Sequence, residues 1–293
     1  MNRGLMMRLA ALIVLAALCF GGVKLGIWLR QRQVTSTQPM VTVSFLEVTD
    51  GDCTVIQTPD EHTIVIDTGG AANGDEVPRT LRRMGVIEID LLVLAAPTDQ
   101  AEGGVDALLK ANLPIRSVWI NSVAKPGTVQ TQAIALLQAK NVPIQTVYEN
   151  EKKSVGDSPM ALKVLWPPRN GDRTTKDNLV CRVDYGAQSC LFLGPLAAES
   201  EPYLISGAAD PLKADVMQVT DHGAGEGTER ELLPRVQPEI AVISSTAQSP
   251  PAPATLERLQ SAAADVWRTD IQGTVTVTLS TSPNTPTVTG SRL

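Results

Sequence analysis

Two histidines, His62 and His222, are the whole imidazole inventory of this 293-residue chain. That count limits its metal and acid–base chemistry, because a catalytic zinc site takes three protein ligands and keeps a further position open. His222 stands in Thr220-Asp221-His222-Gly223-Ala224, so a single metal on His222 with Asp221 or Asp67 is the most that these residues offer. His62 lies in a turn ahead of Asp67. Asp50, Asp52 and Asp67 are carried by two strands toward one end, where paired carboxylates could do acid–base work. Solvation at the surface is the simpler expectation for them, as it is for Arg173 and Lys176 in a polar loop. Asp67 has a second reading, a structural carboxylate that accepts backbone N–H bonds. Cys53, Cys181 and Cys190 show no C-x-x-C spacing, so no zinc knuckle or redox pair is expected. Cys181 and Cys190 flank the Tyr185-Gly186 turn, where a disulfide and two buried thiols are both open readings. Neither a G-x-S-x-G elbow nor a G-x-x-x-x-G-K-[ST] loop occurs. The run His222-Gly223-Ala224-Gly225-Glu226-Gly227 lacks dinucleotide-binding spacing and is expected to be a mobile loop.

The elements that would position these groups alternate along the chain. Strands are expected at 41–46, 53–56, 63–67, 87–94 and 118–121, and helices at 76–84, 104–111 and 131–140. A second β-rich stretch, from Ile144 to about Leu193, holds strands at 161–166, 179–184 and 189–193. Strands at 215–219, 240–243, 266–269 and 274–279 then enclose a helix at 254–264. Two β-rich halves that each trail helices predict two sheets packed face to face with helices outside, a four-layer αββα sandwich. The strand ending at Leu94 opens into LAAPTDQAEGG, a loop placed where a rigid sheet edge positions chemistry, yet it carries few groups able to perform any.

The order of motifs resembles the metallo-β-lactamase fold, and more narrowly the extracytoplasmic metallo-β-lactamase-like domain of DNA-internalisation competence proteins. Phe45-Leu46-Glu47-Val48-Thr49-Asp50-Gly51-Asp52-Cys53 is similar to that family's FLDVGQGDA, and Thr58 to Gly69 to its TPDGxTxLIDTG. Leu165-Trp166-Pro167-Pro168, Asn178-Leu179-Val180, Tyr185-Gly186, Leu256-Glu257-Arg258-Leu259, Arg268-Thr269-Asp270 and Gly273-Thr274 follow in the family's order. The resemblance implies one or two metals, usually zinc, at the edge between the sheets. It also implies a ligand loop of the type SHPHADHIGG, which falls on residues 95–104. Here Ala96, Thr98 and Ala101 take the histidine positions, Gln100 the aspartate position, and Asp99 is a charge one residue out of register. Asp99 then reads as a solvated loop residue or a helix cap. The family's bridging aspartate is Pro195, its His-His-Gly-Ser loop keeps only His222 after Asp221, and its late histidine is Pro250. Asp67, Ala96, Thr98, Asp99, Gln100, Ala101, Pro195, Asp221, His222 and Pro250 therefore mark a vestigial pocket in which no metal and no cofactor is expected. His222 is expected to hydrogen-bond within its own loop.

Composition bounds the rest. Residues 1–8 form a short basic head, and 9–32 carry an apolar run interrupted by Lys24, long enough for one transmembrane helix. Residues 33–40 read as a linker, 41–279 as the metallo-β-lactamase-like domain and 280–293 as a loose polar tail. Past Arg32 the chain holds 20 basic against 31 acidic side chains, a formal charge of −11, which argues against a nucleic-acid partner. These readings together suggest a bacterial inner-membrane, single-pass protein with its body periplasmic or extracellular. It would be a non-catalytic pseudoenzyme acting as an accessory subunit beside other subunits of a membrane complex. A divergent metal-dependent hydrolase or nuclease is the alternative.

Overall fold

The computed structural model describes residues 39–121, 127–169, 178–207, 211–228 and 231–292. The expected transmembrane segment 9–32 lies outside these residues, as do Arg173 and Lys176. No helix among the described residues is long and apolar enough to cross a membrane.

The first half opens with β1 (Val41–Phe45), β2 (Thr54–Gln57) and β3 (Thr63–Ile66), an antiparallel meander. It continues through α1 (Glu76–Arg83), β4 (Leu91–Leu94), α2 (Asp99–Glu102), α3 (Val105–Lys110), β5 (Val118–Ile120), α4 (Thr128–Ala139) and β6 (Ile144–Thr146). Strands β3 to β6 run parallel, with helices as crossovers. The second half repeats this plan. Strands β7 (Lys152–Lys153), β8 (Ala161–Trp166), β9 (Val180–Tyr185) and β10 (Gln188–Phe192) are antiparallel. They lead by α5 (Glu201–Gly207) into β11 (Val216–Gln218), α6 (Leu233–Val236), β12 (Ile240–Ile243), α7 (Pro253–Ser261) and β13 (Asp265–Arg268), all parallel from β10 onward. After α8 (Thr269–Gln272) the chain returns to the first sheet, where β14 (Val275–Leu279) pairs antiparallel with β1. Finally β15 (Thr287–Gly290) pairs with β14. The sheet orders are β15-β14-β1-β2-β3-β4-β5-β6 and β13-β12-β11-β10-β9-β8-β7.

Three apolar clusters define the layers. Side chains alternate across a strand, so Val41, Val43 and Phe45 of β1, with Ile64, Ile66, Leu91 and Val93, face Leu162, Val164, Val183, Phe192, Val216 and Val242 of the other sheet. Phe45 and Phe192 meet across the seam with ring centroids 6.1 Å apart. The opposite face of the first sheet (Val55, Val65, Leu92, Leu94) packs on Val77 and Leu81 of α1, Leu108 of α3 and Leu137 of α4. The second sheet's outer face (Val180, Leu191, Met217, Ile243) packs on Leu204 of α5, Leu233 of α6 and Leu259 of α7. Helix, sheet, sheet, helix is the expected sandwich. Burial on both faces explains why β4 and β12 read as unbroken apolar runs rather than alternating ones.

Three local expectations change. The tail 280–293 is not uniformly loose, because β15 extends the first sheet. The apolar strand expected at 87–94 begins as β4 only at Leu91, with Ile89 making a lone bridge to Ile115. Cys181 and Cys190 do not face each other across the β9–β10 hairpin: Cys181 pairs with Phe192 and Cys190 with Val183, and both thiols are free and buried.

Candidate binding cleft at the sheet edge

Three loops of the first sheet lock together through their backbones. Thr68 donates from both its amide and its hydroxyl to the Ala101 carbonyl, at 2.7 and 2.9 Å. Asp52 N donates to Gln100 O at 3.1 Å, Gly69 N to Asp52 O at 2.7 Å, and Gly104 N to Gly69 O at 2.9 Å. Asn73 clamps the Asp-Gly turn, accepting from Thr49 N and Asp50 N and donating to Asp50 O. Such close approach leaves no room for side chains. A Cβ on Gly51 (φ +80°) would collide with the Gln100 carbonyl, and one on Gly104 with that of Thr68. The Asp-Gly-Asp, Asp-Thr-Gly-Gly and Glu-Gly-Gly motifs are thus three parts of one joint.

The second sheet supplies the opposite wall. Leu179 N donates to Ala95 O at 2.7 Å, and the Asn178 amide donates to Leu193 O at 2.6 Å. Gln218 accepts from Gly194 N at 3.3 Å and donates to Asp52 Oδ1 at 3.4 Å, bridging the two sheets. His222, with Asp221, sits in left-handed backbone (φ +53° and +44°). Its Nδ1 donates to the Ser244 carbonyl at 3.0 Å and lies 3.7 Å from Asp52 Oδ2. The imidazole is therefore not bonded within its own loop, as expected, but reaches the end of β12 and the first sheet's acid. Ser245 is held in turn by Thr269 and Asp270, and Arg268 is paired with Asp270 at 2.6 Å. The Arg-Thr-Asp motif thereby fixes the carbonyl that orients His222.

The glycine-rich run after His222 is also tied down, against the expectation of a mobile loop. Arg258 of α7 donates to the carbonyls of Gly225 (2.9 Å), Gly227 (2.6 Å) and Thr228 (2.9 Å). Thr228 N donates to the buried Glu201 carboxylate at 2.6 Å. A guanidinium has the fan of donors needed to gather several carbonyls at once.

The carboxylates depart from a solvated picture too. Asp52 is 5% exposed and Asp67 2%. Asp67, at the end of β3 with φ +59°, accepts a 2.7 Å bond from Ala95 N, as a structural carboxylate should. Burial nevertheless holds its carboxyl well above the usual range. The neighbouring charges of Asp52 and Glu102 push the same way, and the Ala95 bond opposes them. Asp52 is the main cause that raises the His222 imidazole, against the burial that lowers it. Sequence reasoning passed over Glu102. It is 1% exposed, accepts one bond at 3.3 Å from Gln130 of α4, and is pushed up to about 8 by burial. Its signal was present: Glu102 stands where the ligand loop of the resemblance has an apolar isoleucine.

The remaining marked positions now have places. Ala96 and Ala101 are buried and lack donor atoms. Thr98 precedes α2, its hydroxyl buried and without a hydrogen-bond partner among the described residues. Asp99 is half-buried and accepts a long bond from Ala71 N at 3.4 Å. Pro195 follows Gly194, whose carbonyl accepts from Asp221 N at 2.9 Å. Pro250 is exposed beside Ser249. Asp50, Gly51, Gln100, His222, Ser245, Thr246 and Ser249 line a cleft of ≈ 120 Å³, room for a few waters or one side-chain head group. Among the described residues no group of three or more His, Cys, Asp or Glu is arranged to hold a metal. The donor set does not fit the metal centre that the resemblance implies: one imidazole already bonded through Nδ1, and two buried acids. His62 is elsewhere, in the turn before β3, with Nδ1 2.9 Å from Asp90 Oδ1.

No protein-family model matches the chain. It is 26% identical over 258 residues to ComE operon protein 3 of Bacillus subtilis (strain 168), covering 80% of this chain and 32% of that protein. It is likewise 26% identical over 249 residues to competence protein ComA of Neisseria gonorrhoeae, covering 83% and 33%. The chain thus spans about a third of the length of the curated relatives it matches. Among solved structures, CmlA, a diiron β-hydroxylase from Streptomyces venezuelae, shares the fold at a TM-score of 0.56 and 14% identity, over 82% of this chain and 54% of that one. The layered sandwich, the ordered motifs that build its edge cleft and these relatives together make this chain a metallo-β-lactamase-fold protein similar to the competence proteins.

Proposed function

We propose that the chain is a non-catalytic, membrane-anchored member of this fold that serves as a binding or structural subunit of a membrane-associated complex. One observation carries the reading. The interlocked frame around the cleft is kept in detail, while its ligand positions hold Ala96, Thr98, Gln100, Ala101, Pro195 and Pro250, and the acids that remain are turned into buried protein contacts. A frame kept without its donors supports a role in holding a partner rather than activating water. The apolar run 9–32 supports the anchor and a location at the bacterial inner membrane, with the body outside the cytoplasm. Purified full-length protein is expected to contain no stoichiometric zinc or manganese by elemental analysis. Metal bound one to one and lost on His222→Ala would overturn the reading. Gentle detergent extraction is expected to co-purify further membrane subunits.

The rival reading is a divergent metal-dependent hydrolase or nuclease. It is favoured by the Asp52–His222 pair and by Asp67 at the same sheet edge. Metal-dependent hydrolysis of phosphodiester or amide substrates, abolished by both His222→Ala and Asp52→Asn, would establish it.

A further inference from the structure

We propose that Glu102 is a proton latch: as a neutral carboxylic acid it holds α2 against α4, and its ionisation loosens α2 together with the cleft rim that α2 carries. Glu102 is the last residue of α2, a single turn that also bears Asp99 and the cleft residue Gln100. Its side chain is buried, and the Gln130 amide, at 3.3 Å from Oε1, is its hydrogen-bond partner. Among the described residues no group lies within hydrogen-bond reach of Oε2. Gln130 is itself buried and donates at 3.0 Å to Asn121 at the end of β5, so its amide cannot follow the carboxylate freely.

Among the described residues no charge lowers the Glu102 carboxyl. Helix α4 (Thr128–Ala139) carries no charged residue. On α2 the only other ionisable side chain is Asp99, and α3 contributes Asp106 and Lys110, already paired with each other at 2.5 Å. From the first sheet comes Asp67, an acid whose own carboxyl the Glu102 charge raises. The imidazole of the cleft, His222, is engaged with Asp52 and Ser244. A buried carboxylate with one weak neutral donor and acidic neighbours keeps its proton, or else draws water in. Ala101 beside it carries no side-chain donor atom for a metal.

The sign follows from linkage. The folded carboxyl, at about 8, lies above that of an opened, solvated glutamate at about 4.3. The latched form therefore binds more protons throughout that window. Its advantage is complete below the lower value, falls as pH rises, and levels off above the upper one. Hydrogen exchange on the full-length protein from pH 5 to 9, corrected for intrinsic rates, tests this. In wild type, amides of 99–104 and 128–137 are expected to lose protection by up to about tenfold per pH unit, levelling near pH 8. Glu102→Gln and Glu102→Leu, the latter restoring an apolar residue, are expected to show no such slope. A flat wild-type profile, or an unchanged slope in the variants, would sink the latch. Should Glu102→Leu fail to fold, the infrared band of a protonated carboxyl decides. Asp67, whose carboxyl is raised too, contributes to that band, so the wild-type minus Glu102→Gln difference is read: it should show the band at pH 6 and less of it at pH 9, and a difference without the band at pH 6 also overturns the latch. Neither readout depends on what the cleft binds.

Discussion

Asp67 shows how a buried acid can serve the fold by accepting a backbone bond. Its carboxyl is sealed from solvent, accepts a bond from Ala95 N, and is raised first of all by burial. A group whose folded value lies above the ordinary value near 3.9 stabilises fully only below that value and weakens the fold as pH climbs toward the folded one. Asp67→Asn keeps an oxygen for Ala95 N and cannot ionise. It is expected to match wild type within about 1 kcal/mol in urea titrations at pH 5 and to gain on wild type at pH 8. Asp67→Ala strands the Ala95 amide and should cost about 1–3 kcal/mol at both. If the asparagine variant is as damaged as the alanine one, Asp67 works as an anion and its buried, proton-holding role is wrong.

At the scale of elements, the motifs turn out to be fastenings. Arg258 was legible only as part of Leu256-Glu257-Arg258-Leu259, yet from α7 it gathers three carbonyls of the loop that follows His222. Arg258→Ala is expected to lower stability by about 2–3 kcal/mol in urea and to speed amide exchange in 224–228, since bonds to a charged donor are worth more than neutral ones. Arg258→Lys should recover only part, because an ammonium cannot span the same three acceptors. An alanine variant with wild-type exchange in that loop would mean that the loop holds its own shape. The longer strands and helices were legible because the periodicity of packed faces is written along the chain. Four-residue β15, with two exposed threonines and a glycine, has no such pattern and exists because β14 offers it an edge. The one-turn α2 was illegible for the same reason. The burial of Asp52, Asp67 and Glu102 was misjudged or missed because it comes from loops meeting across sheets, which local pattern does not encode.

At the scale of the whole molecule, two halves of like plan, each an antiparallel meander passing into parallel strands with outer helices, bring their loops to one edge. That convergence makes the cleft a property of the fold, independent of whether the cleft holds a metal. The chain is similar in sequence to ComE operon protein 3 and competence protein ComA, and nucleic acid is a partner to test. Charge opposes it. Beyond Arg32 the body carries a formal −11, and the cleft joins Asp50, Asp52 and Asp221 to a single imidazole. Binding to a phosphate backbone draws most of its free energy from cations that displace condensed counterions. A surface of this sign repels the backbone over about 8–10 Å at moderate salt. Gel-shift titration of the protein against single- and double-stranded DNA at about 0.1 M salt is therefore expected to show no complex at micromolar concentrations, and lowering the salt should not produce one. Tight binding that weakens steeply as salt is added would require a local basic track strong enough to overcome the net field. It would replace the proposed role beside a membrane complex with direct handling of DNA.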